Sequence, residues 1–195
     1  MKRWKSAIAL IVAFALTLAL GSCAKPPKAE LDAAVAAYAR AEKDADAVAY
    51  APDSLKRAKD LLARLQSEYA AKKYDSAKTL AAETTQAAEK AIADGKANKE
   101  RMKGTAAALV ETVKSAIVEA EKALAAAKKA KGVKLDFNAL AAELETIKAS
   151  VTQAEADFGR ADYKSATEKL QAAQTRIADL TNTVAEAVRA VSKKK

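Results

Sequence analysis

Histidine is missing from this 195-residue chain, and cysteine occurs once, at Cys23. The first absence removes the imidazole that serves as catalytic base, proton shuttle and metal ligand near neutral pH. The second leaves no partner for a disulfide within the chain. Together they exclude a zinc site built of thiolates and imidazoles, and they leave a cysteine nucleophile without a histidine base. Glycine is scarce as well. Its five residues include Asp94-Gly95 and Lys131-Gly132 but no run that would cradle a phosphate. The three prolines, Pro26, Pro27 and Pro52, all lie in the first third of the chain.

The charged residues do not replace the missing chemistry. Asp44/Asp46 and Glu143/Glu145 stand two apart on expected helices, so each pair points to different faces. Glu68/Lys72, Glu111/Lys114, Glu145/Lys148 and Glu186/Arg189 have the spacing of surface ion pairs, worth a few tenths of a kcal/mol each. The five tyrosines could stack on a sugar or peptide, but most fall on apolar seams and read as core; Tyr38 and Tyr50 are the least constrained. The expectation is a chain without catalytic residues, metal ligands, cofactor or small-molecule substrate, and not an enzyme.

What is present begins at the amino end. Lys2, Arg3 and Lys5 precede an uncharged run from Ala7 to Leu20. That run is short of the roughly 20 apolar residues of a membrane-spanning helix and has the form of a signal-peptide core. Leu20-Gly21-Ser22-Cys23 comes next and resembles the bacterial lipobox: an aliphatic residue, two small residues, then cysteine. The resemblance implies a signal peptide over 1–22, cleavage before Cys23, a lipid (palmitate among its acyl chains) on Cys23, and a lipidated tether over 23–28. The remaining reading is an uncleaved anchor. Each buried methylene contributes about 0.8 kcal/mol, so the three acyl chains the lipobox implies would hold permanently. Ala24 stands where aspartate would retain an enteric lipoprotein in the inner membrane, which points to the outer membrane of a bacterial cell envelope.

Periodicity sets the fold class. Apolar positions alternate in steps of three and four along Leu31, Ala34, Tyr38, Ala41, Ala45, Val48. They do so again along Leu55, Ala58, Leu62, Leu65, Tyr69, and along Val110, Val113, Ile117, Ala120, Leu124, Ala127. Two longer runs extend from Phe137 to Phe158 and from Tyr163 to Val191. These are heptad seams, and they predict an all-α, elongated antiparallel bundle with coiled-coil packing. Pro52 and Asp53 are expected to stop one helix and cap the next, and Gly132 and Asp136 to do the same further on. The stretch from Asp94 to Gly104 has the weakest helical propensity. It reads as a loop or as a soft place in one helix from about Tyr74 to Lys131, and the absence of proline favours the helix.

The pattern repeats. "EYAAKKYDSA" from Glu68 matches "DFGRADYKSA" from Asp157 at an offset of 89 residues: an acid, an aromatic, four residues, then Tyr-x-Ser-Ala. Both copies are expected at the tip of a helical hairpin, with the two rings plugging its end. This predicts two tandem three-helix units, over 29–95 and 96–195, sharing a long central helix. Within the first, Tyr50-Ala51-Pro52, Leu55, Ala58, Leu62, Tyr74, Ala77, Leu80 and Ala81 resemble a domain of unknown function found in bacterial envelope lipoproteins. That resemblance implies a helical fold and an envelope location. Some members carry a cell-wall-binding domain after this module, where the present chain continues in heptads.

Without residues 1–22 the formal charge of +9 falls to +6, half of it in Lys193, Lys194 and Lys195. The rest is an interspersed, solvated surface, so nucleic acid is not an expected partner. The three lysines form a candidate envelope-contact tail, or else a cationic cap on a helix carboxyl end. The function expected from all this is a lipid-anchored helical spacer or adaptor that meets a partner protein or the cell wall. The alternative is a carrier that holds a lipid or other apolar ligand within the bundle.

Overall fold

The computed structural model describes residues 25–193, and every regular element among them is an α-helix. The order is α1 (Lys28–Lys43), α2 (Ala45–Tyr50), α3 (Pro52–Ala70), α4 (Tyr74–Lys129), α5 (Phe137–Gly159) and α6 (Tyr163–Ser192). The fold is all-α and bundle-like. It divides into two compact units on either side of the Lys96–Ala97 bond.

In the first unit α1, α2 and α3 pack with residues 74–96 of α4. One buried cluster joins Ala34, Leu65, Ala77, Leu80 and Ala81, and a second joins Ala37, Tyr38, Ala41, Ala58 and Ala88. Alanine dominates because its methyl group lets helix backbones approach closely while keeping the best intrinsic helix propensity. In the second unit residues 97–129 of α4 pack with α5 and α6 around a larger aliphatic core. That core includes Val113, Ile117, Leu144, Ile147, Leu170 and Ile177. The long α6 seam buries Tyr163, Ala166, Leu170, Ala173, Ile177, Leu180 and Val184 in the steps of three and four that its sequence shows.

Two local expectations fail. The seam drawn through Ala45 and Val48 is broken at Asp44, whose backbone is extended (ψ 115°) and whose carboxylate accepts from the Ala47 amide at 2.8 Å. The cap shifts the phase of α2 relative to α1. Ala47 and Ala51 become buried instead, and Val48 is left 51% exposed. Asp53 is likewise not an N-cap. Pro52 takes the first helical turn of α3 itself, where its missing N–H costs nothing, and Asp53 lies inside that turn.

The doubtful stretch from Asp94 to Gly104 is helical throughout. Gly95 has a positive reason to be there. A methyl group on its Cα would lie 2.5 Å from the Ala47 nitrogen, 2.6 Å from the Asp46 carbonyl carbon and 2.7 Å from Ala47 Cα. These are backbone atoms that cannot swing aside, so α2 and α4 meet at a point only glycine allows. Asp136 caps α5 as expected, accepting from the Asn138 and Ala139 amides at 3.1 and 3.0 Å. Gly132 turns the chain after α4 with φ +88°.

Candidate functional site

The first candidate is the amino-terminal motif. Cys23 lies outside the described residues. Its neighbourhood begins at Lys25, and the fold starts almost at once, because Pro27 occupies the cap position of α1 and accepts from the Leu31 amide at 3.0 Å. Only Ala24, Lys25, Pro26 and Pro27 separate Cys23 from the first helical residue, Lys28. Four extended residues reach about 14 Å at most.

At the carboxyl end Lys193 is exposed and caps α6, its amide donating to the Arg189 carbonyl at 3.1 Å. Lys194 and Lys195 lie outside the described residues.

The two Tyr-x-Ser-Ala repeats sit at the tips of the α3–α4 and α5–α6 hairpins. Tyr69 and Tyr74 meet edge to face with ring centres 5.9 Å apart, and Phe158 and Tyr163 do so at 5.2 Å. The backbones match bond for bond. Lys73 and Lys72 donate to Glu68 and Tyr69 carbonyls, and Asp162 and Ala161 donate to Asp157 and Phe158 carbonyls, all at 3.0 Å. This double bond pattern closes a helix through a left-handed residue, usually glycine. Here Lys72 (φ 58°) and Ala161 (φ 62°) adopt that conformation instead.

Below the second tip the side chains build what sequence reading missed. Asp157 is 3% exposed, and its carboxylate is bonded by the Lys169 ammonium, the Ser165 hydroxyl (2.9 Å) and the Arg160 guanidinium. Lys169 first, and Ser165 next, hold its pKa below the usual carboxylate range. At the first tip Glu68 pairs with Lys73, at 3.3 Å, and with no other cation among the described residues. Asp94 has a comparable cradle, with Lys90 at 2.7 Å and the Ser54 hydroxyl at 2.6 Å lowering its pKa in that order. The repeat marked Asp157 as an acid of the turn, but its partners lie 3, 8 and 12 residues on. Only folding unites them.

The ion-pair expectations are met in one case of four. Glu145 pairs with Lys148 at 2.8 Å. Lys73, rather than Lys72, reaches Glu68, because Lys72 occupies the left-handed position. Lys114 crosses to Glu155 on α5 instead of Glu111, and no pair joins Glu186 to Arg189 among the described residues. Lys148 also bridges to Glu121, and Arg176 bonds Glu143 at 2.7 Å, so these charges tie helices together. Tyr38 is core, 9% exposed, with its hydroxyl donating to Glu42 Oε1 at 3.1 Å; burial, then Glu42, raises its pKa.

The grooves between helices are open and of mixed charge. The one between α3 and α4, about 570 Å³, has Asp53, Arg57, Glu83 and Lys90 on its walls beside Leu61 and Ala87. Among the described residues no group of three or more acids or cysteines is placed to hold a metal ion. No described helix is long and apolar enough to cross a membrane. The alanine seams and the Asp157 carboxylate are buried, and the described surface carries interspersed ion pairs and exposed lysines.

Fold and surface define a class, the alanine-rich helical bundle. More specifically, residues 29–108 match the family described as a domain of unknown function, DUF4398. The match passes residue 95, where the sequence pattern ends it, and continues along the uninterrupted α4. No curated protein and no solved structure matches the chain.

Proposed function

We propose that this protein is a lipid-anchored, non-enzymatic component of the bacterial cell envelope, held in the outer membrane through Cys23. Its helical bundle acts as a spacer or adaptor for a partner protein or the cell wall. The observation that carries the reading is Leu20-Gly21-Ser22-Cys23, directly behind a basic and then apolar segment and only four residues ahead of α1. So short a tether holds the first unit close to the headgroups of the anchoring leaflet. Alanine seams support a spacer over a carrier, since fully buried Ala34, Ala41, Ala58 and Ala88 bring the helices together where a ligand cavity would need them apart.

The test is metabolic labelling with a fatty acid in a bacterial host. The wild-type chain should take up label and lose 22 residues; Cys23→Ala should remain unlabelled and full-length. Equal labelling and processing of both would overturn the anchor. Native mass spectrometry of the delipidated protein addresses the spacer reading separately, because a carrier would retain apolar cargo and a spacer would not.

A further inference from the structure

The loop after α4 and the end of α6 meet. A methyl group on Gly132 would stand 3.3 Å from Val191 Cγ1, so the turn lies directly against the last apolar residue of the final helix. Val133, Leu135 and Val188 pack on the same core and fix the two segments together. This contact gathers charges that are about 60 residues apart in sequence. Lys128, Lys129, Lys131 and Lys134 come from one side, Arg189 and Lys193 from the other, and all six are exposed. None of them pairs with a carboxylate among the described residues. The stretches 128–136 and 186–193 contain two acids, Asp136 and Glu186, and Lys128 also borders a groove with Glu121 and Glu145, which both pair with Lys148. Asp136 is already engaged in capping α5.

We infer that this basic pole of the second unit docks on the surface of an anionic phospholipid bilayer. Six unpaired cations on flexible stems, spread over a loop and a helix end, suit a diffuse sheet of phosphate charge. A polyanion laid in a groove would need walls of one sign. The groove beside the pole, between α4 and α5, carries Glu121 and Glu145 with Lys128 and Lys148, and its carboxylates repel such a chain. The inference does not rest on Cys23; it extends the contact surface from the carboxyl-terminal lysines to a folded patch.

The test holds the full chain on beads through an affinity tag at its amino end and asks it to capture dye-labelled vesicles. Capture of vesicles containing phosphatidylglycerol is expected, with none of neutral vesicles. It should fall steeply when salt is raised, since screening shortens the reach of exposed charge to a few ångströms. Each lysine near an anionic surface is worth about fivefold in affinity, so K128Q/K129Q/K131Q/K134Q should reduce capture at least tenfold. The corresponding Lys→Arg variant should retain capture, and the circular dichroism of both should match wild type. Equal capture by the Lys→Gln variant, capture of neutral vesicles, or retention on cell-wall sacculi or nucleic acid without vesicle capture would each overturn the proposal.

Discussion

At the scale of single residues, glycine and its substitutes carry the most specific predictions. Gly95 and Gly104 lie nine positions apart on α4 and look equivalent in sequence, yet their surroundings are opposite. Alanine at Gly104 meets nothing within 4 Å and should stabilise by about 0.5–1 kcal/mol through helix propensity. Alanine at Gly95 gains the same propensity but collides with the α2 backbone, and overpacking of that kind costs about 1–3 kcal/mol. Denaturant midpoints of the two variants should therefore move in opposite directions; a shared direction would contradict the close α2–α4 contact. Ala161 makes the converse case. Its left-handed conformation costs an L-residue about 1–2 kcal/mol. Ala161→Gly should accordingly raise the stability of the α5–α6 hairpin, by somewhat less than that because glycine has more backbone entropy to lose. A lowered midpoint would contradict the turn geometry.

At the scale of elements, the cradle around Asp157 ties α5 to α6 and makes that hairpin sensitive to acid. The folded carboxyl is held below its ordinary range, chiefly by Lys169, so its contribution is complete above that range and is lost as pH falls through the folded value. Asp157→Asn should lower the thermal midpoint at pH 7. The gap from wild type should narrow below about pH 4, where free carboxylates protonate, and close once the folded group is neutral. A gap independent of pH would mean that Asp157 acts through shape rather than charge. The helices themselves were legible. The α5 and α6 seams emerge with the residues their spacing names, because aliphatic side chains in steps of three and four have one face to bury. The start of α2 was not legible, since Ala45 and Ala47 are the same residue type and the bond that the Ala47 amide donates to Asp44 sets which turns inward. The Asp157 cradle was half legible: the repeat exposes the acid, but Lys169 lies 12 residues on and looks like any surface lysine. The basic pole was legible only at its tail, because Lys128 to Lys134 join it through a tertiary contact.

At the scale of the whole molecule, the family match covers residues 29–108, while the proposed address depends on a motif that precedes it. That motif makes a claim about mass as well as place. If Cys23 is the anchor, the protein extracted from membranes begins at residue 23 and carries acyl chains on that residue. The proposed roles of spacer and adaptor depend on that anchor, whereas the basic pole of the second unit does not. The measurement that bears most directly on this is the intact mass of the detergent-extracted protein, together with fragmentation of its amino-terminal peptide. The expected mass is that of a chain shortened by 22 residues, with a diacylglycerol thioether on the Cys23 sulfur and a third acyl group on its amine. A full-length chain with a free thiol, or a chain cut elsewhere and carrying no lipid, would contradict it.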